Sequence, residues 1–346
     1  MTTTLTTLLA YAKQMRASDL HLSSGEAPRL RIDGVISPIK TTALTHDDIM
    51  RLLGEVMDKE QLDELMAQKE LDFSFEMAEL CRFRANVFCQ SRGVAAVFRL
   101  IANQLPHIDE LGFGDTLKHL CQLNQGLILI TGATGSGKST TLAAMIDHMN
   151  KHRPIHILTI EDPIEFVHTS KTALINQREL RKDAHDFERA LTSAMREDPD
   201  VILIGELRDL ASIRLALRAA ETGHLVLATL HTNSATKAID RIVDVFDAHE
   251  KHLIRTMFSE SLQAIIAQTL VPKIGGGRVA AFEIMTATPA IRNLIRENKV
   301  AQMYSAIQTG ASDGMISLDA SLRQLLAQSL IDRQTATAFA KEPERF

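Results

Sequence analysis

The feature that most constrains the fold of this chain is the segment 132–139, which fits the phosphate-loop pattern: glycine, four variable residues, glycine, lysine, then serine or threonine. It lies between an apolar run at 127–130 and a helix-forming stretch at 140–146. This strand–loop–helix order is the context that the pattern requires. A flexible turn before an ordinary helix is the alternative, but such a turn does not need four fixed positions in this order. The sequence therefore predicts a binding site for a nucleoside triphosphate.

The residue types in this segment are suited to a polyphosphate. Glycines allow several backbone N–H groups and the positive end of the following helix to converge on the phosphates. Lys138 supplies a mobile charge for the outer phosphates, and the Ser139 hydroxyl can hold a magnesium ion. The residues expected to line the nucleotide site are Gly132, Ala133, Thr134, Gly135, Ser136, Gly137, Lys138, Ser139 and Thr140.

Length, charge and cysteine spacing limit the class of protein. A chain of 346 residues is longer than one typical core and suggests two domains. The net charge of −5 argues against a dedicated nucleic-acid surface, so no direct nucleic-acid partner is expected. Cys81, Cys89 and Cys121 have neither paired nor metal-ligand spacing. That spacing favours reduced thiols in the cytoplasm and no zinc site.

Hydropathy gives no sign of insertion into a membrane. No apolar run approaches the roughly 20 residues that span a bilayer. The first residues also lack the basic region of a signal peptide. We expect a cytoplasmic protein without a transmembrane segment, which reaches a membrane peripherally or through a protein partner.

The hydrophobic pattern predicts two domains of different type. The pattern of residues 1–101 predicts a small α+β domain. Its strand at 82–88 alternates between apolar and basic side chains. Residues 102–112, around Pro106, are predicted to be a linker. From 113 to 346 short apolar strands alternate with helices, which is typical of an α/β fold with a mainly parallel sheet and ligands at the carboxyl ends of its strands. Its strands are expected at 126–131, 155–160, 201–204, 224–229 and 279–284, followed by helices only.

Titratable side chains follow three of these strands. Glu206 comes directly after one strand, where a carboxylate can hold the metal through water and take a proton from an attacking water. Glu161 ends a second strand and is the competing choice of general base. His231 follows a third strand, where an imidazole can hydrogen-bond the terminal phosphate. A lone histidine is more often structural, and only its position favours a role for this one.

The order of these motifs resembles the Walker A, Asp, Walker B and His boxes of the type II/type IV secretion ATPase superfamily. The matching segments are, in chain order, 132–140, 160–166, 205–209 and 224–231. Over almost its whole length the chain resembles one branch of that superfamily, the retraction ATPases of type IV pili (the PilT type). The segments 17–22, 219–224 and 290–296 carry the narrower match.

The resemblance implies a homohexamer with ATP and Mg²⁺ as ligands, and a RecA-like ATPase core behind a PAS-like N-terminal domain. It also implies that the N-terminal domain donates arginines to the nucleotide. Arg84 and Arg99 match the family's pair by their spacing, although a solvated strand face is the alternative. Rival candidates at the subunit boundary are Arg196, Arg208, Arg214 and Arg218.

The resemblance further implies a coupling motif that retraction needs and ATP binding does not. Its residues are Ala290, Ile291, Arg292, Asn293, Leu294, Ile295 and Arg296. The implied function is a motor for pilus retraction and twitching motility at the cytoplasmic face of the inner membrane. The implied partners are a membrane platform protein and a second retraction ATPase. Two alternatives stay open: an accessory retraction ATPase (the PilU type), which the lack of a long C-terminal extension disfavours, and a related secretion or DNA-uptake ring ATPase.

Overall fold

The computed structural model describes residues 3–32, 34–77, 80–101, 105, 107–180 and 182–346. The chain divides into two compact units, Met1–Gln104 and Leu105–Phe346, each with its own core. Residues 102–104 and Pro106 of the predicted linker lie outside the described residues, so the domain boundaries at 101 and 113 stay a prediction. Among the described residues, every helix is too short or too polar to cross a bilayer.

The first unit is a six-stranded antiparallel sheet with three helices. Its helices are α1 (Leu5–Gln14), α2 (His46–Leu53) and α3 (Lys59–Gln68). Its strands are β1 (Asp19–Ser23), β2 (Arg29–Ile32), β3 (Val35–Pro38), β4 (Glu70–Glu76), β5 (Arg82–Gln90) and β6 (Gly93–Ile101). In the sheet they lie in the order β3-β2-β1-β6-β5-β4.

Strand periodicity separates the two faces of this sheet. On β5, Phe83, Ala85 and Val87 are fully buried in the core, whereas Arg82 and Arg84 alternate with them on the other face. Because successive side chains of a strand point to opposite faces, one register fixes both the apolar and the basic surface. The predicted alternation is confirmed.

The second unit surrounds a seven-stranded sheet. Its strands are β7 (Gly126–Thr131), β8 (His156–Glu161), β9 (Leu174–Glu179), β10 (Val201–Ile204), β11 (Leu225–Leu230), β12 (Leu262–Pro272) and β13 (Arg278–Thr286). Its helices are α4 (Thr116–Leu120), α5 (Lys138–His152), α6 (Phe187–Ala194), α7 (Leu210–Glu221), α8 (Ala235–Asp244), α9 (Lys251–Ser261), α10 (Pro289–Arg296), α11 (Val300–Thr309), α12 (Leu318–Ala327) and α13 (Arg333–Phe339). Short 3-10 turns occur at Ile108–Leu111, Ala311–Asp313 and Pro343–Arg345.

The strands of this sheet lie in the order β13-β12-β7-β11-β10-β8-β9. All neighbours are parallel except β12 and β13, which form an antiparallel pair. Every residue of β7, β10 and β11 is buried, as expected for parallel strands with helices on both faces. The predicted mainly parallel sheet is therefore confirmed, but β9 and β12 were not among the predicted strands.

Candidate active site

The phosphate-loop segment joins β7 to α5, as the pattern predicts. Gly132 has a φ of 151°, and a Cβ atom on it would lie 2.4 Å from both the Gln268 carbonyl oxygen and the Ser136 Oγ. Gly137 has a φ of 91° and precedes α5, and a Cβ atom there would lie 2.8 Å from the Gln268 Nε2. Gly132 therefore requires glycine for lack of space as well as for backbone conformation, and Gly137 requires it for backbone conformation. The loop is held in a curl that aims the first N–H groups of α5 at one point.

Lys138 lies over this curl. Its ammonium donates to the carbonyl oxygens of Gly132 at 2.8 Å and of Ala133 at 3.1 Å. Burial lowers the pKa of Lys138, while the charges of Glu206 and Glu165 act in the opposite direction. The loop thus carries a cation that protein groups only partly neutralise, which suits a phosphate ligand.

The order of parallel strands brings the predicted side chains to one edge of the sheet. The phosphate loop, His231, Glu206 and Glu161 follow β7, β11, β10 and β8, and these four strands are consecutive neighbours. Ile204, the last residue of β10, is in register with both Ala228 on β11 and Ile160 on β8, so the three strands end within two residues of one another. The described structure therefore brings these residues from separate segments to one edge of the sheet, and their roles stay a prediction.

Glu206 stands between two basic side chains. Its Oε2 accepts from the Arg208 Nε at 2.7 Å, and its Oε1 lies 3.1 Å from the His231 Nε2. Arg208 also approaches Asp162, with 3.6 Å between nitrogen and oxygen. The two contacts fix both oxygens of a carboxylate that is 22% exposed. Glu206 is consequently oriented, paired and still reachable by water.

Glu161 has a different environment. Its Oε1 accepts from the Thr159 hydroxyl at 2.7 Å and from the Gln177 amide at 3.3 Å. Burial raises the pKa of Glu161 to about 7. A carboxylate whose pKa lies near 7 can exchange a proton at neutral pH. The structure thus leaves both acids chemically able to act as a base, with Glu206 in contact with the predicted sensor histidine.

The predicted magnesium site consists of oxygen donors. The Ser139 hydroxyl lies in the first turn of α5, and the Glu206 carboxylate follows a strand of the same edge. Hydroxyl, carboxylate and phosphate oxygens are the ligands that Mg²⁺ prefers. Nearby, the buried Ser136 Oγ and Thr131 Oγ1 lack hydrogen-bond partners among the described residues. Buried polar atoms without a hydrogen-bond partner fit a site in which a bound ligand supplies that partner.

Gln268 is a site residue that the sequence analysis missed. It is buried on β12, the strand beside β7, and its Oε1 accepts from the Thr141 hydroxyl on α5 at 2.8 Å. Its backbone oxygen and side chain are the groups that lie against Gly132 and Gly137. A glutamine inside an apolar strand was the only available signal, because β12 itself was not predicted. Gln268 defines one wall of the phosphate loop.

A cavity of about 720 Å³ opens beside the phosphate loop. Its wall includes Gly135 and Ser136 of the loop, Gln268 of β12, and Asn233 from the segment after His231. Lys341 also lines it, so residues from late in the chain reach the edge of the site. The space is of the size that small-molecule sites have.

Arg84 and Arg99 lie in the first unit, directly opposite each other on β5 and β6. The Arg99 Nε contacts the buried carboxylate of Asp19 at 2.9 Å, whereas the Arg84 Nε is 4.0 Å from Asp72. Like charges at directly opposed positions are unfavourable unless another group compensates them. Their contact with a nucleotide stays a prediction. Among the rival arginines, Arg214 pairs with Glu250 at 2.8 Å.

The predicted coupling motif, 290–296, lies in α10, which Thr288 caps through the Ile291 N–H and which has proline at its first position. Ile291 and Ile295 are fully buried in the core. Arg292 turns inward and donates to the carbonyl oxygens of Ser259 at 2.5 Å and Glu260 at 2.8 Å, at the end of α9. Arg296 is exposed. Ile291 and Ile295 thus form a buried apolar stripe, and only part of the motif offers a surface.

Similarity to known proteins identifies the class of this chain. The chain belongs to the Type II/IV secretion system protein family, which it matches over residues 1–276. It is 57% identical to the type IV pilus retractation ATPase PilT of Pseudomonas aeruginosa, with 99% of both chains covered. It is 37% identical to the type IV pilus ATPase PilU of the same organism, over 96% of this chain and 87% of that protein.

Among solved structures, the chain resembles the pilus retraction motor PilT with bound ADP. The TM-score is 0.92 at 45% identity, and 99% of each chain is covered. These likenesses confirm the resemblance to pilus retraction ATPases. They also confirm the fold class, an α/β RecA-like ATPase core preceded by a PAS-like domain. The chain is a nucleotide-binding ATPase of this family.

The packing of Gly132 gives a first prediction. We expect Gly132→Ala to weaken nucleotide binding by about tenfold to a hundredfold, since overpacking costs about 1–3 kcal/mol and the loop must shift to admit the methyl group. Gly114→Ala is the matched control, because Gly114 also has a positive φ, 58°, but no atom lies within 4 Å of a Cβ there. The measurement is the dissociation constant of a fluorescent ADP analogue. Equal affinities for the two variants would contradict the steric role of Gly132.

The raised pKa of Glu161 gives a second prediction, for the ligand-free protein. Between its ordinary pKa near 4.5 and about 7, the folded state holds the Glu161 proton more tightly than the unfolded state does. The contribution of Glu161 to the free energy of unfolding is therefore largest at low pH, falls as the pH rises to about 7 and then levels off. Glu161→Gln should remove that fall, measured as the free energy of unfolding from pH 5 to 8. Glu188→Gln, an exposed change, serves as control, and a parallel pH dependence in wild type and Glu161→Gln would refute the assignment.

Proposed function

We propose that this protein is an ATP-hydrolysing motor that drives the retraction of type IV pili and, through it, twitching motility. The observation that carries the proposal is the phosphate loop beside the Glu206–His231 pair, in a chain that resembles pilus retraction ATPases over its whole length. The phosphate loop and the Glu206–His231 pair account for the hydrolysis of ATP. The likeness to retraction ATPases indicates the process that hydrolysis drives.

The described side chains suggest how the reaction proceeds. The N–H groups at the start of α5 and the Lys138 ammonium bind the phosphates of ATP, and Ser139 with Glu206, through water, would hold Mg²⁺. When bound, Mg²⁺ would neutralise charge on the outer phosphates and help to align them. Glu206 accepts the proton of the attacking water. His231, whose Nε2 faces Glu206, orients that carboxylate and senses the terminal phosphate.

The active unit in this proposal is a homohexamer, in which a neighbouring copy completes each site. Arg84 and Arg99 are the proposed donors from the first unit, since two guanidinium groups held directly opposite each other favour an anionic ligand between them. The phosphates of ATP have the required charge.

The mechanical partner in this proposal is a platform protein of the pilus machine in the inner membrane, with the motor at its cytoplasmic face. The exposed side of α10, including Arg296, is the proposed contact, because its other side is fixed in the core by Ile291, Ile295 and Arg292. A second retraction ATPase is a further proposed partner.

The central test uses Glu206→Gln, which keeps the shape of the side chain but cannot accept a proton. We expect turnover to fall by about 10²–10⁴-fold, with ATP affinity and hexamer assembly maintained. Turnover is measured with purified protein, ATP and Mg²⁺, and the mass of the assembly is measured on the same samples. Glu250→Gln is the control, because Glu250 is also a partly buried glutamate paired with an arginine.

Two other results of this experiment have a definite meaning. Near-normal turnover of Glu206→Gln combined with loss of turnover in Glu161→Gln would move the role of base to Glu161. A wild type that neither assembles nor hydrolyses ATP would overturn the proposed motor function.

The arginine pair has its own test in Arg84→Gln. We expect turnover to fall by about 10³-fold if Arg84 stabilises charge on the transferred phosphoryl group. The thermal midpoint should stay equal or rise, because the change removes one of two opposed like charges. Arg92→Gln, an exposed change on the same unit, should alter neither quantity. Unchanged turnover of Arg84→Gln would assign the pair to a solvated strand face.

The coupling surface is tested by Arg296→Glu. We expect ATP turnover within about twofold of wild type, because the side chain is exposed on α10, and loss of pilus retraction in cells that carry the variant. Lys273→Glu, at another exposed position of the same unit, should retain retraction. Retraction at wild-type speed with Arg296→Glu would exclude this side of α10 as the contact.

A further inference from the structure

An ion pair between a buried carboxylate and a partly exposed lysine lies beside the candidate active site and has no part in the proposed reaction. Glu283 on β13 is only 2% exposed, and its Oε2 accepts from the Lys341 ammonium at 2.5 Å. A buried carboxylate is costly unless it is both paired and hydrogen-bonded. Lys341 follows α13, so a segment far along the chain supplies the charge that this position needs.

The other oxygen of Glu283 binds the beginning of a helix. Its Oε1 accepts from the backbone N–H of Ala235 at 3.0 Å, and Ala235 is the first residue of α8. A negative charge at this end of a helix is favourable, because the first N–H groups have no partner within the helix. Glu283 thus joins Lys341 to the start of α8.

The start of α8 is also the end of the segment that carries His231. Only the residues 232–234 separate His231 from Ala235, and Ser234 caps the helix through the Lys237 N–H at 3.2 Å. Fixing Ala235 therefore limits where the His231 ring can stand. That ring lies 3.1 Å from the Glu206 carboxylate, so the contacts continue from Lys341 to the proposed base.

The segment around Lys341 is itself firmly held. The buried Asp319 carboxylate accepts from the backbone N–H groups of Lys341 at 2.8 Å and Glu342 at 3.0 Å. The Lys341 ammonium also lies 4.4 Å from the centre of the Tyr304 ring. Burial raises the pKa of Tyr304 to about 12, so the ring under the cation stays neutral at physiological pH.

We propose that Lys341 and Glu283 are positioning residues for hydrolysis. By docking the segment that contains Lys341 against the start of α8, they hold the 231–234 segment so that His231 orients Glu206. The inference rests on the proposed ATPase function and deepens it. It assigns control over the rate of hydrolysis to a region outside the four sequence boxes, and that control acts through the position of His231.

The experiment compares four variants of the full-length hexamer: Lys341→Met, Lys341→Arg, Glu283→Gln/Lys341→Met and, as control, Lys251→Met. The control removes a lysine from an exposed ion pair with Asp244 in the same unit. The readouts are kcat and KM for ATP, the dissociation constant of a fluorescent ADP analogue, the thermal midpoint, and hydrogen exchange of the amides of residues 231–236.

We expect Lys341→Met to lower kcat by about tenfold to a hundredfold through misplacement of the reacting groups. Affinity for the ADP analogue should stay within about twofold, and hydrogen exchange at 231–236 should rise. Lys341→Arg should recover most of kcat because it retains the charge. The double variant should recover the thermal midpoint, since no unpaired charge is left buried. It should not recover kcat, since the Lys341 side chain no longer joins its segment to the start of α8.

The outcomes separate positioning from simple stability. Unchanged kcat in Lys341→Met, or recovery of kcat together with the thermal midpoint in the double variant, would overturn the proposal. If Lys341→Met fails to fold, the double variant alone is compared with wild type. A wild-type kcat together with a wild-type thermal midpoint would then overturn the proposal. A wild type without hydrolysis would instead overturn the proposed function, and hydrogen exchange at 231–236 would still report whether Lys341 holds that segment.

Discussion

The candidate site depends on the side-by-side parallel pairing of β7, β11, β10 and β8. Parallel strands all point their carboxyl ends the same way, so residues more than 90 positions apart in the chain meet along one edge. The full burial of β7, β10 and β11 makes this pairing costly to disturb, because any slip of register would expose apolar side chains and break backbone hydrogen bonds. The phosphate loop, His231, Glu206 and Glu161 owe their order in space to this one constraint.

Along this edge, each ionisable side chain of the candidate site has hydrogen-bond partners within the unit. Glu206 is shared between Arg208 and His231, Lys138 caps the carbonyls of its own loop, and Glu161 is held by uncharged donors. A carboxylate that already has two partners is oriented before any ligand arrives, which lowers the reorganisation that the reaction requires. Glu206 and Glu161 lie at neighbouring strand ends but differ in environment, because the partners of Glu206 are basic and those of Glu161 are uncharged.

Much of the site could be predicted from the sequence, because its residues directly follow short apolar strands and its loop has a fixed pattern. The side chains that support the site could not. Gln268 lies on β12, which starts directly after α9 without a turn signal, so the change from helix to strand left no mark in the pattern.

The role of Glu283 depends on a partner 58 positions away, and no local periodicity reports such a contact. The inward turn of Arg292 was hidden for the same reason, since its partners are carbonyl groups of a different helix. In the first unit, α3 has only one fully buried residue, Leu65, so its apolar stripe is weak in the sequence.

The antiparallel pair of β12 and β13 has a mechanical consequence. Gln268 touches the phosphate loop at one position of β12 and is in register with Phe282 of β13, and β13 ends at Thr286, three residues before α10 begins. From Phe282 to the end of β13 the backbone covers roughly 14 Å at about 3.4 Å per residue. Two hydrogen-bonded strands resist stretching and sliding, so this hairpin is a stiff connection within the second unit. It joins the strand beside the phosphate loop to the chain that leads into α10.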